Sequence, residues 1–127
     1  MKIHEITESF NLGNVKFVMD TQSTRAGDSL VWINVAKLDE ALQNDSDFYV
    51  GKNGAGGIKN RYARFGEFLK TGIPIEAAIV SVDKNGMASI TNGRHRFAWF
   101  RDHSAKYLPV CMDDESIEYA KQFGYLK

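Results

Sequence analysis

One asparagine–glycine pair constrains the fold more than any other feature of this chain. Asn85-Gly86 stands between two apolar runs, Ile75 to Val82 and Met87 to Thr91. Both residues accept the positive φ angles of a tight turn at low cost, so the two runs are expected to return on each other as a hairpin. A helix is predicted next, from about Arg94 to His103, and then a strand over Tyr107 to Met112. Asp113 or Asp114 can cap a last helix that runs to about Phe123 and stops at Gly124.

The first half of the chain is less regular. Val15 to Met19 and Val31 to Val35 are branched or aromatic runs that read as strands, separated by a polar segment holding Thr21, Gly27 and Asp28. Leu38 and Leu42, four apart, make Ala36 to Gln43 a short helix. The stretch Gly51-Lys52-Asn53-Gly54-Ala55-Gly56-Gly57 is too glycine-rich for a regular element. It reads either as a plain surface loop or as a loop over a ligand, whose backbone N–H groups converge on an anion and which is mobile without it. The order of a Walker phosphate loop is absent. Ile58, Tyr62, Phe65, Phe68 and Leu69 then form the apolar stripe of a helix, with Lys59, Arg61 and Arg64 mostly off it. Thr71-Gly72 ends that helix, and Pro74 opens the strand before the hairpin.

This order of elements predicts a small α+β domain, a mixed β-sheet with flanking helices, spanning residues 1–127 as one unit. Sixteen basic residues balance sixteen acidic ones, which argues against a general nucleic-acid binder but permits a local patch. A lone cysteine, Cys111, excludes an internal disulfide and a multi-cysteine zinc site, and its strand position makes it a small buried apolar residue. No run has the length of a membrane span and MKIHEITESF lacks a signal peptide's apolar core, so a cytoplasmic protein without a membrane partner is expected.

The chemistry concentrates at Asn92-Gly93-Arg94-His95-Arg96, where a strand gives way to a helix. The first N–H groups of a helix lack partners and its dipole favours an anion there. Three cationic or ionisable side chains at the same positive end are unfavourable unless a phosphate or carboxylate joins them. Arg94 and Arg96 supply forked donors, and His95 can exchange a proton near neutral pH. Phe97 and Phe100 read as core; Trp99 reads as a packed aromatic or as a platform for a base.

From Ile75 to Met112 the chain resembles the ParB/sulfiredoxin-like domain family. Ile90-Thr91-Asn92-Gly93-Arg94-His95-Arg96-Phe97-Ala98 is similar to that family's D/N-G-x-H-R-x-A pattern, and Leu108-Pro109-Val110 to the strand with a Pro-Val pair that follows it. Sulfiredoxins carry Gly-Cys-His-Arg at the turn; Arg94 stands in the cysteine's place, so reduction of an oxidised peroxiredoxin is not implied. Chromosome-partitioning members carry Gly-Glu-Arg-Arg, and here Arg94 replaces the glutamate and His95 the first arginine. Only a short helix follows Val110, so no helix-turn-helix module is expected. The chain looks most like the plasmid- or phage-associated members described as nucleotide-hydrolysing, nuclease or kinase-like.

The resemblance implies a nucleotide or phosphate site in which Gly93, Arg94 and Arg96 hold phosphate and His95 is the catalytic candidate. Arg61 and Lys52 are the secondary phosphate contacts, and the implied cofactor is a nucleoside triphosphate with magnesium. Asp20, Asp28, Asp83 and Asp102 are the candidate carboxylates, but none belongs to a recognised metal motif, so the metal ligands stay unassigned. A second reading is a nucleic-acid binder or nuclease, with Lys59, Arg64 and Trp99 as additional contacts. A third is a non-catalytic module that inhibits or modulates a protein target through its surface.

Overall fold

The computed structural model describes residues 9–19, 27–45, 48–58 and 60–127. Lys59, Asp20 and Thr21 lie outside the described residues.

Two small mixed sheets and four α-helices make up an α+β fold among the described residues. The first sheet starts with a hairpin: β1 (Ser9–Leu12) turns at Gly13-Asn14 into β2 (Val15–Val18), with Leu12 opposite Val15. β2 then pairs in parallel with the short β4 (Ile75–Glu76). The second sheet has the order β3 (Ser29–Asn34), β7 (Tyr107–Met112), β5 (Ala78–Val82) and β6 (Ala88–Asn92). The Asn85-Gly86 hairpin joins β5 to β6 antiparallel; Gly86 takes a positive φ of 80°, whereas Asn85 does not.

The run from Ile75 to Val82, expected as one strand, is divided between the sheets. The Ala77 N–H donates to the Val18 carbonyl at 2.8 Å, closing the pairing with the first sheet, and Ala78 opens the second. Side-chain alternation continues through such a crossing, so the pattern carries no mark of it.

β7 is buried along nearly its whole length, lying inside its sheet between β3 and β5. Pro109 fits there because pairing with β5 begins one residue later, at Val110, so no bond to that neighbour is lost. Cys111 is fully buried, as its strand position predicted. Side chains from both sheets and from the helices, including Phe17, Ile33, Leu38, Phe65, Val80, Phe97, Phe100 and Met112, form one continuous core.

The helices are α1 (Val35–Leu42), α2 (Arg61–Leu69), α3 (Arg94–Asp102) and α4 (Asp114–Gln122). Asp113 caps α4, its carboxylate accepting from the Ser116 N–H at 2.8 Å. α2 begins later than its apolar stripe suggested. Asn60 adopts a left-handed conformation (φ 69°) just before it, which leaves Ile58 outside the helix and 46% exposed. Among the described residues, no helix is long and apolar enough to cross a membrane.

Candidate functional site

The end of β6 is shaped to deliver a turn. Val80 faces Ile90 and Ile79 faces Asn92, so Thr91 is an extra residue on its strand, a β-bulge that re-aims the chain just before Gly93. Gly93 has φ 96°, and a Cβ there would lie 2.9 Å from Ala78 and 2.8 Å from Arg96 Nη2. Only glycine meets both demands. α3 starts immediately afterwards with no side-chain cap over its first amides.

Two open grooves meet at this turn, and Arg61, Asn92, Gly93 and His95 line both. One groove continues past Arg64, Phe68 and Arg96; the other continues past Arg94 and Phe48. Thus Arg61 and Arg64 from α2 face Arg94 and Arg96 from α3, around a glycine that lets a ligand approach the backbone. Each groove also holds one carboxylate, Glu76 in the first and Asp45 in the second. The Arg94 guanidinium lies over the Phe48 ring, 5.2 Å from its centroid.

His95 is buried, and its Nε2 accepts the Ile58 N–H at 2.8 Å. A neutral imidazole with an accepting Nε2 carries its proton on Nδ1. Burial, with the charges of Arg94 and Arg61, pushes its pKa below the ordinary imidazole value, so the neutral ring that accepts this bond is the favoured form. Gly57 packs so closely that a Cβ there would meet His95 Nε2 at 2.7 Å. The lone pair that a general base would use therefore already holds the glycine loop in place.

The loop itself differs from an anion cradle. The N–H groups of Gly51, Gly54 and Gly57 donate to carbonyls inside the loop, at 2.7, 3.0 and 3.1 Å. The Asn53 N–H donates to Asp102 at 2.8 Å. These donors are spent on the loop's own structure, so the backbone does not turn them toward a ligand. The loop does lie beside the basic turn, since it ends against His95.

Beneath the loop lies a network that local sequence patterns had not revealed. Arg101 donates to Asp102 at 3.0 Å, to Asp39 at 3.1 Å and to the Val50 carbonyl at 2.7 Å. Tyr49 donates to Asp39 at 3.1 Å, and Tyr62 to Asp102 at 2.8 Å. Burial works against the Arg101 charge, but the Asp102 and Asp39 carboxylates outweigh it and hold its pKa above the usual value. Burial likewise opposes the Asp102 carboxylate, yet the bonds from Arg101, Asn53 and Tyr62 prevail and keep its pKa low. Tyr62 is pushed up to about 12, by burial first and then by Asp102. The available signals were the Arg101-Asp102 pair and the tyrosine beside the glycines, but only the fold unites them with Asp39.

Of the residues singled out in the sequence, Gly93, Arg94, His95, Arg96, Arg61 and Arg64 are brought together. Lys52 is not: it stands exposed on the short 3₁₀ turn Lys52–Gly54 and lines neither groove. Trp99 is packed edge-on against Phe65 and Phe100 and stacked on His103 at 3.7 Å, and it lines neither groove, which fits the packed-aromatic one of its two readings. Asp83 is occupied in the hairpin turn, accepting the Asn85 and Met87 N–H groups. Asp28 lines neither groove. The described residues contain no group of three or more His, Cys, Asp or Glu suited to a metal ion.

No protein-family model matches the chain, and no curated protein does. A solved structure is similar to it: the gold(I) cyanide derivative of the Oncogenic Suppression Activity protein, a plasmid fertility inhibition factor. The two share 18% identity with a TM-score of 0.64, over 94% of this chain and 69% of the other. That likeness concerns the fold, and it supports the α+β arrangement.

Proposed function

We propose that the grooves around Gly93 bind a phosphate-bearing ligand, in the first place a nucleotide. One observation carries this reading: four arginines from two helices line the walls around a glycine at an uncapped helix start. The resemblance of Ile90 to Ala98 to the ParB/sulfiredoxin-like pattern points the same way, because that pattern is associated with phosphate contact. In this reading Gly93, Arg61 and Arg96 surround the phosphate, and Arg94 and Arg64 extend the positive wall to either side. His95 acts as a positioning residue that ties Gly57 and Ile58 to the edge of the site.

The residues present do not fit a magnesium ion held by the protein. Each groove offers one carboxylate set among arginines, whereas such ions are held by several oxygen ligands.

Titration calorimetry with tripolyphosphate and with nucleoside mono-, di- and triphosphates, each with and without magnesium, tests the proposal. Arg96→Ala should stay folded and lose on the order of 1–3 kcal/mol of binding, about tenfold to a hundredfold. Unchanged affinity in that variant rejects the site. If turnover is found, His95→Ala should lower binding and rate together, as a positioning role requires. A rate loss much larger than the binding loss would instead give His95 a chemical role.

A second reading, a non-catalytic inhibitor of a plasmid-related process, is favoured by the likeness to a fertility inhibition factor over 94% of the chain. It predicts a protein target and no ligand-dependent turnover.

A further inference from the structure

Gly93 does not lie at the end of a pocket. It sits on a wall shared by two grooves of similar size, about 430 and 470 Å³. Each groove carries one large aromatic ring toward solvent: Phe68 in the first, 40% exposed, and Phe48 in the second, 57% exposed. The other phenylalanines around the site, Phe65, Phe97 and Phe100, are all buried, so exposure is confined to the two rings flanking the anion position.

A mononucleotide has one base for its phosphate and would leave one groove empty. A phosphodiester has a nucleoside on each side. We propose that the two grooves take a single strand of nucleic acid that crosses Gly93, one phosphodiester between Arg61 and Arg96 and the adjoining bases stacked on Phe48 and Phe68. This rests on the reading of the turn as a phosphate site.

Arginine walls that follow a backbone and aromatic rings that receive bases are the two ingredients of single-strand recognition. A duplex suits the site less, because its bases already stack on one another and offer no free face to either ring. Zero net charge and the Glu76 and Asp45 carboxylates in the grooves limit the contact to a few nucleotides rather than a long basic track. Arg94, now over Phe48, would yield that ring to a base and turn to the next phosphate.

The test is fluorescence anisotropy of a labelled hexathymidylate, with thymidine monophosphate, tripolyphosphate and a short duplex as competitors. The single strand should bind at least about tenfold tighter than the monophosphate and the duplex, with affinity falling steeply as salt rises. Phe48→Leu and Phe68→Leu keep apolar bulk and remove the ring. Each should weaken the hexamer at least about fivefold while leaving tripolyphosphate unchanged. A hexamer no tighter than the monophosphate, a preferred duplex, or Leu variants with wild-type affinity would each overturn the strand while tripolyphosphate binding keeps the phosphate site. Loss of tripolyphosphate and hexamer binding alike in the wild type would instead reject the site itself, and the strand with it.

Discussion

Arg94 and Arg101 stand near opposite ends of α3, and the fold uses them in opposite ways. Arg101, its side chain 13% exposed, is held between Asp39 and Asp102 and also binds the Val50 carbonyl. Arg94 stands half-buried on a groove wall, over the exposed Phe48 ring. One end of the helix spends its charge on fastening the glycine loop, and the other presents charge at a surface. The pair teaches that an arginine's role here is set by which element faces it, not by its position in a basic run.

The largest effect should come from breaking the fastened end. Arg101→Ala leaves two carboxylates largely buried without their cation, and should cost roughly 3–5 kcal/mol of stability. Arg94→Ala removes only a ring contact and should cost about 0.5–1 kcal/mol. Chemical denaturation of both variants checks the contrast, and equal losses would erase it.

Gly93→Ala probes the junction between strand and helix. A side chain at φ 96° and against Ala78 should cost roughly 1–3 kcal/mol and displace Arg96. A fall in tripolyphosphate affinity greater than the stability loss explains would separate the site from the fold.

The His95 bond gives the loop a pH dependence. Its pKa is lowered in the fold, so its contribution is full above the ordinary value of about 6.5 and is lost as pH falls through the lowered one. Between about pH 7.5 and 5, the wild type should lose on the order of 1 kcal/mol more than His95→Gln, which keeps an acceptor but does not titrate. Parallel pH profiles would remove the effect.

The smallest change should follow Arg64→Ala. Arg64 is exposed on α2, so stability should stay within about 0.5 kcal/mol of the wild type. Tripolyphosphate affinity should still fall about threefold. A stability loss like that of Arg101→Ala would place Arg64 on the fastened side of the comparison.

Much of the second half was legible because its signals are local. Asn85-Gly86 made the hairpin, Asp113 capped the last helix, and the continuous apolar run placed β7 at Tyr107–Met112. A comparable signal, Gly13-Asn14 between Leu12 and Val15, went unread, and β1 was missed with it. The division of Ile75 to Val82 between two sheets left no trace in periodicity. Lys52 looked well placed beside the glycines, yet the 3₁₀ turn carries it away from the grooves.

What the sequence determined by itself is the set of elements and the charge at the start of α3. Turn residues, caps and apolar spacing act within a few residues, and their physics can be read in order along the chain. The tertiary structure decided the fate of each charged group. Asp39, Tyr49 and Arg101 are far apart in the chain and meet only when α1, the loop and α3 pack together. His95 accepts its bond from Ile58 across the same packing. Whether a side chain serves a ligand or the fold depends on the partners burial brings to it, and burial is settled only when the chain is folded.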